Sequence, residues 1–160
     1  MALPGISTLG IEFGYALETT AGTKPTAFNL LTRINAIGGI SLPSEQIDAS
    51  ALEDYVTRYI AGRQDTGGEW TITVNVTDDT IAEWEACIDA YQNRSDLNLS
   101  MWWVVWSPEL TDAFYVVAQP PKVLPMSELS QNELQTIEIT LSINEYKGMD
   151  TAIRPTNPNP

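Results

Sequence analysis

From Glu69 to Val76 apolar and polar residues alternate one for one. Trp70, Ile72, Val74 and Val76 fall on one side of a strand, and Glu69, Thr71, Thr73 and Asn75 on the other. The period then lengthens: Ile81, Trp84, Ile88 and Tyr91 recur at the three-and-four spacing of a helix that buries one stripe, which predicts a helix over about 79–91. Asp78, Asp79 or Thr80 can each accept from its first free amides, and Thr80-Ile81-Ala82-Glu83 has capping-box spacing. A half-exposed strand with a helix on its apolar side defines a small α+β core.

The same patterning places further strands. Ile11, Phe13, Tyr15 and Leu17 alternate with Glu12, Gly14, Ala16 and Glu18; a second strand is predicted over Phe28 to Ala36, ended by Gly38-Gly39. Met101-Trp102-Trp103-Val104-Val105-Trp106 is apolar throughout, as in a strand buried on both faces. Ala113 to Ala118 follows and stops at Pro120-Pro121, and Ile137, Ile139, Leu141 and Ile143 alternate with Thr136, Glu138, Thr140 and Ser142. The expected architecture is α+β, mainly β: a β-sandwich or open barrel of about six or more strands with one flanking α-helix. Residues 1–146 are read as one domain and 147–160, rich in Pro and Asn, as a flexible tail with nothing to bury.

Ser41 to Gly68 is too long to be an idle loop. Two readings stay open: a hairpin excursion with a solvated acidic face, or an arm that orders against another subunit through Ile47, Leu52, Tyr55 and Tyr59.

Composition removes whole classes of chemistry. Twenty-one Asp and Glu against eight Lys and Arg give a net charge of −13, so a phosphate backbone or an anionic membrane is repelled. With no histidine and one cysteine, Cys87, the chain has no internal disulfide, no Cys/His zinc cluster and no histidine-based triad. Cys87 lies beside the helix stripe and reads as a buried spectator. The N-terminus has neither the basic nor the apolar region of a secretory signal, and no apolar run is long enough to cross a bilayer, so synthesis in a reducing cytoplasm is expected.

Three patterns are candidate sites. Asp65-Thr66-Gly67 copies the triplet carrying the catalytic carboxylate of aspartic proteases, but it lies in turn-like rather than apolar sequence. Trp102, Trp103 and Trp106 could form a sugar platform, although tryptophan in an apolar run belongs more often to the core. Asp78, Asp79, Glu83, Glu85 and Asp89 lack the spacing of a calcium loop and read as a solvated helix face; Ala82, Ala86 and Ala90 form a small-residue stripe on its outside. No cofactor, metal or enzymatic activity is expected.

The run Leu30-Leu31-Thr32-Arg33-Ile34-Asn35-Ala36-Ile37, then Ile47-Asp48-Ala49-Ser50-Ala51-Leu52-Glu53, Tyr59-Ile60-Ala61-Gly62 and Asp65-Thr66-Gly67-Gly68-Glu69-Trp70-Thr71-Ile72, resembles the major tail (tail tube) proteins of long-tailed bacteriophages. The likeness covers roughly Ile11 to Tyr91, with Ala49-Ser50 where threonines are common and Arg63 where leucine is usual. The resemblance implies a structural virion protein, made in the host cytoplasm, that assembles as stacked hexameric rings into a conduit for the genome. Its partners would be copies of itself and other tail proteins such as the tape measure, tail terminator and distal tail protein, with DNA passing unbound. The arm, about 41–68, would reach a neighbour through Ile47, Asp48, Leu52, Tyr55, Tyr59 and Arg63. Lumen candidates are Glu69, Thr71, Thr73, Glu138 and Thr140. A carbohydrate-binding or tail-tip β-sandwich module is the alternative.

Overall fold

The computed structural model describes residues 5–64 and 67–157. In chain order it contains β1 (Glu12–Leu17), β2 (Asn29–Leu31), β3 (Ile34–Ile37), β4 (Ser44–Asp48), β5 (Tyr59–Gln64), β6 (Glu69–Asn75), α1 (Asp78–Gln92), β7 (Met101–Trp106), β8 (Asp112–Gln119) and β9 (Thr136–Thr151). Seven strands form one antiparallel sheet in the order β2-β1-β7-β8-β9-β6-β3, while among the described residues β4 and β5 pair only with each other. The fold is therefore mainly β with one helix among the described residues, as the patterning implied.

The two outermost strands of the large sheet, β2 and β3, are separated by only Thr32 and Arg33. Three residue steps span at most about 10 Å, so the two edges converge and the sheet rolls into an open barrel. The turn at this seam has clear causes. Arg33 takes a left-handed φ of 57°, and its carbonyl accepts from Asn75 N–H at 3.0 Å. Glu83 of α1 accepts from both Thr32 N–H and Thr32 Oγ1, at 3.0 Å. The single strand expected over Phe28 to Ala36 is thus two strands on opposite edges, broken by this kink.

Every strand of the roll sends side chains inward. Phe13, Tyr15, Trp70, Ile72, Val74, Met101, Trp103, Val116, Ile139 and Leu141 form one buried cluster that also takes in Trp84 and Cys87 of α1. Trp84 stacks on Trp103 at 5.6 Å and on Phe13 at 6.4 Å between ring centroids, so the helix is fixed by aromatic packing. Its N-cap is Thr77, whose hydroxyl accepts from Thr80 N–H while Thr80 Oγ1 accepts from Thr77 N–H. The capping box therefore lies three residues earlier than Thr80 to Glu83, which leaves Glu83 free to hold the seam.

The outer face divides in two. Over β1, β7 and β8, Ala16, Trp102, Val104, Ala113, Tyr115 and Val117 form a second buried cluster with Phe28. Residues 152–157 cover it, so the expected tail over 147–160 is corrected as far as Asn157, and residues 158–160 lie outside the described residues. Lys147 lies within β9, Gly148 to Thr151 pair with β8, Pro155 is buried, and Thr156 bridges Asn29 in parallel. Sequence pattern missed this because the surface that buries the segment is assembled from distant strands. Glu18 is buried there too, accepting from Ser100 N–H and Trp102 Nε1 at 2.8 Å each. Over β9 and β6, by contrast, the outer face is polar and uncovered.

Candidate functional site

The polar residues singled out on β6 and β9 meet across the ladder. Glu69 lies opposite Ser142, Thr71 opposite Thr140, Thr73 opposite Glu138 and Asn75 opposite Thr136. Because side chains alternate along a strand, the inward Trp70, Ile72, Val74, Ile139 and Leu141 force these partners to point outward together. Glu69, Glu138 and Thr140 are exposed, and Thr71 and Thr73 half-buried. Asn35 Nδ2 donates to Asn75 Oδ1 at 2.9 Å, carrying the polar strip to the β3 edge. The surface is smooth and hydroxyl-rich, with a carboxylate on each strand.

The arm residues also converge. β4 and β5 form a hairpin in which Ile47 faces Ile60 and Asp48 faces Tyr59. Its tip is built by short polar contacts: Asp48 Oδ1 accepts from Ser50 N–H at 2.9 Å, Asp54 Oδ2 from Ala51 N–H at 2.8 Å, and Ser50 Oγ from Arg58 N–H at 2.8 Å. Arg58 Nε pairs with Asp54 at 3.1 Å. The Ser50 bonds hold the exposed Asp48 carboxyl below its ordinary range. This frame displays Leu52 and Tyr55 at 108% and 104% exposure, with Val56, Ile47, Tyr59 and Ile60 also exposed. Arg63 is exposed on β5. The arm contacts expected from the sequence include all of these but Val56 and Ile60, whose apolar character in an acidic segment is the available signal.

The chemical candidates separate from this picture. Trp103 is fully buried and donates to Ala118 O, Trp102 is buried with its indole on Glu18, and Trp106 lies under Arg154 at 4.7 Å, so the three form no exposed platform. Asp65 lies outside the described residues. Burial pushes the Cys87 thiol far above its usual range; its sulfur sits 3.5 Å from Met101 Sδ. No group of three or more Asp, Glu or Cys with metal-holding geometry occurs among the described residues. A groove of about 280 Å³ opens beside the β3–β4 connection, lined by Ile37, Ile40, Trp70, Val105, Phe114 and Tyr146, and its walls hold neither carboxylate nor amine. Ala82, Ala86 and Ala90 are exposed, and no helix among the described residues is long and apolar enough to cross a membrane.

No protein-family model matches the sequence, and no curated protein matches it. Among solved structures the chain is similar to a chain of the cryo-EM structure of the anti-feeding prophage baseplate, 6-fold symmetrised, with a TM-score of 0.52 and 14% identity over 95% of this chain and 97% of that one. At that identity the likeness is one of fold.

Proposed function

We propose that the chain is a structural subunit of a phage-type tail, built to join copies of itself into stacked hexameric rings that form the tail tube. The arm is the observation that carries this reading. Outside any large core, a hairpin with its own polar frame holds Leu52, Tyr55 and Val56 in water. Exposed apolar side chains on an ordered projection find their stabilisation in a second molecule. Full-length similarity to a chain of a prophage baseplate supports a place in such machinery.

In this reading the strip over β6 and β9 faces the lumen. Glu69 and Glu138 repel phosphate, and the threonines between them offer DNA no cation to grip, so the genome slides without pausing. The chain works by assembly, with no catalytic step; tape measure, terminator and distal tail proteins meet the tube at its axis and ends.

Negative-stain microscopy of concentrated protein tests the proposal, with hollow tubes or stacked rings expected. A monomer that persists at every concentration and salt, arm intact, would refute it. A second reading, a baseplate or tail-tip ring, is favoured by the source of the similar fold. It predicts single rings that do not stack.

A further inference from the structure

Residues 152–157 cross the outer face of the sheet like a strap, meeting one strand after another. On β8, the Tyr115 hydroxyl donates to Thr151 O at 2.6 Å and accepts from Ile153 N–H at 3.0 Å. On β7 and β1, the Arg154 guanidinium lies over the Trp106 ring and pairs with Glu12 at 2.8 Å. Pro155 then rests on β1 at Gly14, where a Cβ would come within 2.6 Å of the Pro155 ring, so only glycine admits the strap. At the β2 edge Thr156 behaves as an eighth strand, its carbonyl accepting from Leu30 N–H at 2.9 Å and its N–H donating to Phe28 O at 3.0 Å.

Two features mark this strap as separable from the body it covers. Its ion pair lies at the surface: Arg154 meets Glu12 at 2.8 Å, and ion pairs of this kind are weak and screened by salt. The strand leading into it is already irregular. The β8–β9 register slips between Tyr115 and Val116, leaving Lys147 unpaired, and Gly148 takes a φ of 76°. The receiving edge is also backbone on a rim, which accepts any extended segment that presents the same hydrogen bonds.

A segment whose contacts run from strand to strand across the sheet can make those contacts equally well on an identical neighbour. We propose that the strap is an exchangeable link: residues 152–157 of one copy occupy the β2 edge and the Gly14 seat of a second copy, in the place they fill in the isolated chain. Such a link is head to tail, joining a strap on one copy to an edge on the next. It propagates around a ring when the rotation closes. The inference rests on the reading that copies of this chain join one another.

Cysteines at the bridged pair Asn29 and Thr156 test it, since bridged residues lie within disulfide reach and the native Cys87 is buried. Chains carrying only Asn29→Cys are mixed with chains carrying only Thr156→Cys, concentrated, and oxidised with oxidised glutathione. The expected product is a reducible species of twice the 17.6 kDa chain mass, enriched in the assembled fraction and absent when either protein is alone. A single chain bearing both substitutions serves as control and should close at monomer mass when dilute. If particles form without the cross-chain product while the control closes, the strap stays on its own body: the inference falls and the assembly reading stands. If neither particles nor the product form, both fall.

Discussion

β7 and β5 are strands of equal length with opposite fates. Met101 to Val104 are buried on both faces, with Trp103 stacked on Phe13 at 5.5 Å and on Trp84 at 5.6 Å. Tyr59 and Ile60 of β5, equally apolar, are more than half exposed, and among the described residues their hairpin pairs with no other strand. A two-stranded ribbon is marginal in water unless something covers a face. β7 therefore holds the monomer together, and the arm holds its shape through the Asp48, Ser50, Asp54 and Arg58 bonds, leaving its apolar side chains unspent.

The sharpest way to break this contrast is to empty β7. Trp103→Ala removes a fully buried indole and its bond to Ala118 O, and is expected to cost about 3–5 kcal/mol in urea unfolding. A loss under about 1 kcal/mol would place the core elsewhere. Next in size is the seam. Glu83→Ala leaves Thr32 N–H without its partner where the roll closes, for an expected loss of about 1–3 kcal/mol. Glu83→Gln keeps an acceptor and should recover part of it.

How far the sequence revealed this division depends on the range of the cause. Alternation placed β6, the first half of β9 and the double burial of β7 correctly, because each pattern records the environment of its own strand. It also brought Glu69, Thr71, Thr73, Glu138 and Thr140 to one face, since period two leaves them no other side. The kink at Arg33 escaped it, being fixed by a carboxylate 51 residues away in sequence. So did the strap: Pro155 looks like tail until Gly14 is known to lie beneath it. Asp65 lies outside the described residues and stays a turn reading.

A smaller effect separates the arm from the body by pH. Asp48 has a folded-state pKa below its ordinary 3.8, because the Ser50 backbone bond favours the carboxylate. A depressed carboxyl adds stability above the ordinary value and loses it as pH falls through the folded one. Protection of the Ser50 amide against exchange, relative to the free-chain rate at each pH and followed by NMR, should therefore fall only as pH drops below about 3.8, while Trp103 and its neighbours stay protected. Opening of both regions at the same pH would make arm and body one cooperative unit.

Least visible to any stability measurement is the change that matters most to assembly. Leu52→Ser with Tyr55→Ser alters two side chains that touch little of their own molecule, so unfolding should shift by less than about 0.5 kcal/mol. If these side chains are spent on a neighbour, the same pair should abolish tubes or rings under conditions where the parent forms them, since hot-spot truncations at an interface remove most of the association energy. The two readouts decide together. Unchanged stability with lost assembly assigns the tip to the interface, whereas unchanged stability with intact assembly leaves the arm a solvated excursion and moves the joint to the sheet edges.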